Sequence, residues 1–596
     1  MGTWMRRWWR TVGVVGVLTL VTACASTTAT APSGRAKGAT VTFAQEVGNI
    51  PNYIFPITNS DAYTSSNLAL FQPLLWRPLF WLGSGARPVV STKLSLASLP
   101  VYSNGGRTAT MTLKPYVWSD GKPVTARDVQ FFLNLLRAGK AHWGGYNPGN
   151  FPDNVVSLTV AGPRTFSITF NRAYSQEWLL NDVLSAIVPM PQQAWDRTSA
   201  AGSVGNYDRT PQGARAVYNF LSNQAQTLST YASNPLWRVV DGPFRLSSYD
   251  ASTNYAAFVP NPRYAGPVKP TIAKLVEMPF TSNAAEFNAL RSGAVDYGYL
   301  PNTDISQAQY FRSRGYTVQA WPGFGINYVV INWTNPTMKG YLRQLYIRQA
   351  LQVLVNQPLM IRATLDGYGY PIDGPIPLVP KGPFVSALEA HNPYPYSPQR
   401  ATDLLKAHGW KVVPNGTDVC LRPGSAPNDC GAGIPRGGAL VFSVNYPTGN
   451  PAIAAQFESW KSIASTVGIT LNIRPLPLAE IGTITNPCTT GPSCTWQLGN
   501  WEGWGYGTPY PTGEQTFSPL QTGGYQSPIN NANVTATHLS SSPQAMFRYE
   551  NYLALNLPVI WWPNAPSQIS VISPRLHGVV QNALGSVTPE TWYMTR

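Results

Sequence analysis

Residues 108–136 read TATMTLKPYVWSDGKPVTARDVQFFLNLL, and the order of residue types predicts a strand, a tight turn and then a helix. Asp120 and Gly121 supply the turn. Thr125 is a good N-cap with Asp128 three residues on, a variant of the capping box. Val129, Phe132, Leu133 and Leu136 then follow at helical spacing, which makes the unit a packing element with no evident chemistry. A second unit repeats the theme with parallel strands. Leu440, Phe442 and Val444 alternate, Phe457, Trp460, Ala464 and Val467 share one helix face, and Ile469, Leu471 and Ile473 alternate again, the pattern of a βαβ crossover. Two further helices are expected, one with an apolar stripe of Ile347, Ala350, Leu351, Leu354 and Val355, the other opening at Ser397-Pro398 and closing before Gly409. The class is therefore mixed α/β, without an internal repeat.

At 596 residues the chain exceeds what one hydrophobic core supports, and its length suggests three or four units. Charged residues make up only 12%, while 51 Gly and 54 Pro point to many loops. Arg6, Arg7 and Arg10 precede an apolar run from Val12 to Val21 that is too short to span a bilayer, the pattern of a bacterial signal peptide over residues 1–23. The run ends in LVTAC, a lipobox-like motif that would make Cys24 the lipid-modified first residue; an ordinary signal with an incidental cysteine is the bland alternative. Residues 24–40 are small, polar and proline-containing, as in a flexible tether. No other stretch is long and apolar enough to be a transmembrane helix.

The four remaining cysteines fall in two close pairs, Cys420 with Cys430 and Cys488 with Cys494. Their even number in an exported chain predicts two local disulfides, each contributing ~2–3 kcal/mol. Neither pair is CxxC and no histidine lies near, so no metal is expected there. The net charge is +15, and removal of residues 1–23 takes three arginines and no acid, leaving +12. The cations are scattered and the chain is exported, which argues against nucleic acid; attraction to an anionic envelope and plain surface solvation both remain open.

Catalytic signatures are absent: there is no GxSxG, HExxH or GxxxxGK[ST], and the five histidines lie far apart in sequence. No enzyme activity and no cofactor are expected, and a secreted hydrolase ranks last among the functions. Aromatic surface is abundant instead, with 20 Trp, 30 Tyr and 21 Phe, residues suited to enclosing varied solutes at small entropic cost. One stretch concentrates them outside any regular element. Residues 501–510, WEGWGYGTPY, carry four rings on a backbone whose three glycines and proline exclude a helix.

Six segments in order resemble the bacterial extracellular solute-binding proteins of family 5, the peptide and nickel receptors of ABC importers. They are LFQPLL (70–75), TLKPYVWSDGKPVTARDVQFF (112–132), VVDGPFRLSSYD with NPRYAG (239–250, 261–266), FNALRSGAVDYGYL (287–300), the stretch from Tyr346 to Pro377, and YSPQRATDLLKAHGW (396–410). The resemblance implies a two-lobed α/β fold of the periplasmic-binding-protein kind, class II. Lobe one would comprise 41–82, 191–322 and 561–596, a domain with the WSDG signature would be inserted at 83–190, and lobe two would span 323–560. It further implies an exported, lipid-anchored monomer at the outer face of the cytoplasmic membrane or in a periplasm-like space. Such a receptor would close on a peptide or peptide-like solute and hand it to a permease with its ATPase. An oligosaccharide or metal-chelate receptor, or an envelope sensor or scaffold of the same fold, are the alternatives.

The same resemblance directs attention to a ligand site. In the family a carboxylate in a segment of the type GWxADY pairs with the peptide amine, and WEGWGYG is the best match, with the aspartate position falling on Gly507 or Tyr506. The anchor is thus missing, and Glu502 or Glu514 would be the substitutes. Candidate ligand contacts are Trp501, Glu502, Trp504 and Tyr506, with Tyr328 and Asn332 in lobe two and Asn52 and Tyr53 near the N-terminus. A cleft keeping the rings but lacking the acid would suit a ligand without a free peptide N-terminus.

Overall fold

The strand, turn and helix expected at 108–136 all form. In the computed structural model, which describes residues 34–596 apart from 37, 49, 479, 482–494, 514–516 and 518–521, Thr108–Thr112 is a strand and Ala126–Gly139 a helix. Gly121 takes φ +91°, which closes the turn with its N–H on the Trp118 carbonyl. The Thr125 amide donates to Asp128 Oδ2 at 2.7 Å, completing the capping box, and such a cap contributes about 1 kcal/mol. Ser119 Oγ donates to the Arg238 carbonyl at 2.7 Å and pins the turn to a distant segment. The expected signal peptide, Cys24 and most of the expected tether lie outside the described residues.

Three larger sheets organise the chain. A four-stranded antiparallel sheet runs in the order Val101–Ser103, Thr108–Thr112, Thr165–Phe170, Val155–Val160. It lies in sequence between the first and second strands of a seven-stranded sheet ordered Thr317–Trp321, Gln568–Ile572, Tyr297–Leu300, Thr40–Ala44, Lys274–Met278, Tyr255–Pro260, Phe244–Asp250. The second large sheet contains the expected βαβ unit: Val441–Pro447 and Thr470–Leu476 pair in parallel, joined by the helix Pro451–Ser465. Leu498–Gly499 links this pair to the central strand Gly325–Ile331, against which Trp504–Gly505 and Val559–Trp562 also lie.

The two large sheets are the cores of two lobes, and the chain passes between them at two places. Thr317–Trp321 leads into Gly325–Ile331, and Val559–Trp562 leads back into Gln568–Ile572. The return strand stays paired with the second sheet as far as Trp562, two residues beyond the boundary expected at 560. Within the first lobe, Arg77 and Glu590 form a buried ion pair between residues 513 apart, with the guanidinium 4.3 Å above the Trp81 ring. Among the described residues no helix is long and apolar enough to cross a membrane.

One expected helix is shorter than its apolar stripe. The helix Leu345–Gln352 stops before Leu354 and Val355, which are buried in the turn that follows. Asn356 caps a new helix, Gln357–Thr364, whose second residue is Pro358; a proline there has no N–H to continue the first helix and its ring would meet the carbonyl four residues back. The Ser397-Pro398 start forms as expected, with Ser397 Oγ accepting from the Arg400 amide at 3.1 Å.

Candidate functional site

A cleft of about 1210 Å³ opens where the chain passes between the lobes, and both passages, Gly323–Asn327 and Pro563–Ser567, line it. The aromatic stretch forms one wall because its glycines let backbone meet backbone. Trp504–Gly505 pairs antiparallel with Gly325–Ile326, and a Cβ on Gly503 would stand 2.4 Å from the Ile326 carbonyl oxygen. Glu502 and Gly503 both hold positive φ, +68° and +100°, which turns the chain into this pairing. Asn500 anchors the turn: its Oδ1 accepts from the Glu502 amide at 3.0 Å, while its Nδ2 donates to Asn327 Oδ1 and to the Tyr328 carbonyl.

Side chains of this stretch then diverge in role. Trp504 is half-buried and lines the cleft, as does Tyr506, whose hydroxyl donates to the Pro375 carbonyl at 2.6 Å. Glu502 is exposed in the cleft and accepts from Asn450 Nδ2 at 3.1 Å. Trp501 is outside the lining; its ring meets the edge of Tyr328 at 5.7 Å and 81°. Gly507, at the aspartate position of the resembling segment, does line the cleft.

Four more candidates lie outside the lining. Tyr328 is 1% exposed, packed between Trp501 and Phe517 on a strand, Gly325–Ile331, that is buried along its whole length; of that strand only Gly325, Ile326 and Asn327, next to the passage between the lobes, reach the cleft. Asn332 is fully buried at the end of that strand, donating to the Trp496 carbonyl at 2.7 Å and accepting from Thr334. Asn52 exchanges hydrogen bonds with Asn67 through its amide and its side chain. Tyr53 is buried with its hydroxyl 3.2 Å from Ser222 Oγ. None of the four lines the cleft. Cys420 and Cys430 are disulfide-bonded; Cys488, Cys494 and Glu514 lie outside the described residues.

Residues unmarked in the sequence complete the site. Asp182, in the irregular helical turn Leu179–Val183, accepts at Oδ1 from Thr508 Oγ1 at 2.6 Å, a bond that spans from the 83–190 segment to the aromatic wall. Nearby, Trp178 stacks on His538 at 4.9 Å, and the Ser175 amide donates to the His538 carbonyl at 2.7 Å. Burial pushes the His538 imidazole down to about 4, so it is neutral at neutral pH. Glu46 contributes a third carboxylate to the lining beside Asp182 and Glu502, and no Lys, Arg or His lines the cleft among the described residues. Twelve aromatic side chains line it as well. No group of three or more His, Cys, Asp or Glu that could hold a metal ion occurs among the described residues.

Comparison with known proteins places this geometry in context. Residues 92–525 match the profile of the bacterial extracellular solute-binding proteins, family 5 Middle. A Brucella ovis protein named as an ABC transporter peptide-binding protein is 26% identical over 313 residues, 52% of this chain and 50% of its own length, so the chain spans half the length of that curated relative. The structure of NikA from Brucella suis in complex with Fe(III)-EDTA superposes with a TM-score of 0.68 at 16% identity, over 94% of this chain and 100% of that one. The oligopeptide-binding protein AppA from Bacillus subtilis, solved with a nonapeptide, gives 0.62 at 15% identity over 94% and 100%. At these identities the structural likeness is one of fold.

Proposed function

The chain belongs to family 5 of the bacterial extracellular solute-binding proteins, and on that premise we propose that it is a lipid-anchored receptor which encloses a peptide or peptide-like solute and delivers it to an ABC import permease. The observation that carries the reading is the cleft itself, large enough for a short peptide and lined by both chain passages between the lobes. Lobe one is taken as 41–82, 191–322 and 563–596, the inserted domain as 83–190 and lobe two as 323–562, the last boundary moved from 560 because Trp561 and Trp562 pair with the second sheet. The passages at 323–327 and 563–567 act as the hinge. A ligand touching both sides of the cleft binds the closed arrangement better than an open one, which is the differential affinity that closure requires. The Brucella relative's name favours peptide as cargo and an ABC transporter as recipient.

Mass spectrometry of solute released from the purified mature protein tests the cargo, and small-angle scattering with and without that solute tests closure. A contraction on binding is expected; an unchanged envelope with bound solute would remove the hinge reading. Anchoring is tested separately by Cys24→Ala, expected to move the protein from the membrane to the soluble fraction. A second cargo, an oligosaccharide, draws on the twelve aromatic side chains of the lining, since sugar rings stack on such faces.

A further inference from the structure

The charges around the cleft invert those of the chain. The protein carries 42 Lys and Arg against 27 Asp and Glu, yet the lining holds Glu46, Asp182 and Glu502 and no cationic side chain. Of the residues after 33 that lie outside the described part, only Lys37 is a Lys, Arg or His. The three carboxylates arrive from different directions: Glu46 just after the first strand, Asp182 from the inserted segment, Glu502 from the aromatic wall.

A backbone counter-charge is missing at the cleft-facing helix end nearest Glu502. The helix Pro451–Ser465 begins on the lining, but Asn450 Oδ1 already accepts from the Ala452 and Ile453 amides, so this N-terminus is capped by its own side chain. A ligand carboxylate enclosed here would lose water and meet three carboxylates with no cationic side chain to offset them, a heavy penalty in a closed site. A ligand cation would meet carboxylates and the faces of Trp and Tyr rings, both of which stabilise it.

We infer that the cleft selects organic cations: amine-bearing solutes with an apolar or aromatic body and no free carboxylate. The inference rests on the receptor reading above and narrows it, and it replaces the expectation of a ligand without a free amine, because Glu46, Asp182 and Glu502 line the cleft although the family's aspartate position is Gly507. Ordinary zwitterionic peptides and anionic metal chelates are disfavoured, whereas peptide amides, peptides blocked at the C-terminus and non-peptide amines fit. The aromatic side chains enclose the body, and the carboxylates hold the ammonium group.

The test is calorimetry on the mature chain with two matched scaffolds. The first is phenylalanyl-phenylalanine as free dipeptide, C-terminal amide, N-acetyl acid and N-acetyl amide; the second is 2-phenylethylamine with the corresponding alcohol and carboxylic acid. In each set the cationic form is expected to bind about tenfold or more tightly than its zwitterionic or neutral counterpart, and the anionic form most weakly. In Glu46→Gln/Glu502→Gln the preference should shrink towards one while the thermal midpoint stays put. A zwitterion or acid that equals or exceeds the cation overturns the charge inference but leaves the receptor reading standing. Should no cationic form on either scaffold bind, the inference is likewise overturned; release of no solute of any charge from the purified protein would count against the receptor reading itself.

Discussion

Thr508 Oγ1 donates to Asp182 Oδ1 at 2.6 Å, and the bond joins the aromatic wall of the second lobe to the inserted segment of the first, beside the contacts of Ser175 and Trp178 with His538. It is a hydrogen bond to a carboxylate, so its loss costs about 1.5–3 kcal/mol if nothing replaces it. Thr508→Val keeps the shape and leaves Asp182 charged. We expect it to weaken ligand binding roughly tenfold by destabilising the closed arrangement. Scattering of the ligand-free variant should show a larger radius than the parent; an equal radius and equal affinity would show that the bond is incidental.

The two tryptophans of residues 501–504 should separate cleanly. Trp504 faces the cleft while Trp501 packs on Tyr328. Trp504→Ala is expected to reduce retention of co-purifying solute with little change in thermal midpoint. Trp501→Ala should lower the midpoint, by several degrees for the few kcal/mol that a half-buried ring supplies, and lower retention less. Parallel melting curves and mass spectrometry read both.

Gly503 is required by geometry. With φ +100° and the Ile326 carbonyl oxygen 2.4 Å from any Cβ, Gly503→Ala forces the pairing of Trp504–Gly505 with Gly325–Ile326 apart. A loss of about 1–3 kcal/mol in urea unfolding is expected. Gly505→Ala and Gly507→Ala meet nothing within 4 Å and serve as controls, with changes within about 0.5 kcal/mol.

Glu277 gives the protein a pH dependence of definite sign. It sits on the strand Lys274–Met278, 1% exposed, and burial pushes its carboxyl from 4.5 up to about 8. Between those values the native protein holds a proton that the unfolded chain has released. Stability therefore falls as pH rises through this window, by up to about 1.4 kcal/mol per pH unit for this group. Glu277→Gln should flatten the decline and raise the thermal midpoint more at pH 8 than at pH 5. Equal gains at both values would mean that Glu277 is charged throughout.

Local rules were legible wherever one stretch of chain decided the outcome. The Thr125 cap, the Ser397-Pro398 start and the parallel strands around Pro451–Ser465 are all written in neighbouring residues, and all formed. The site was half legible. Glycine-broken aromatics marked Trp504 and Tyr506 as unusual, because rings there have no regular face to pack into. Nothing marked Asp182 or Glu46: each is a single acid in an unremarkable segment, and only the meeting of lobes gives it a role. Tyr328 and Asn332 lie outside the lining for the opposite reason: Tyr328 sits on a strand buried along its whole length, and Asn332, just beyond that strand, gives its amide to a backbone carbonyl.

Arg77 waits for Glu590, and the strand Gln568–Ile572 slots between two strands made far earlier, Tyr297–Leu300 and Thr317–Trp321. A chain delivered N-terminus first thus begins its first large sheet with residue 40 and has no means of finishing it until the last thirty or so residues appear. The second large sheet, complete by Trp562, can assemble ahead of it. The fold closes like a parcel whose string is tied last, since the first lobe's buried ion pair and its penultimate strand in the sheet both come from the C-terminal segment.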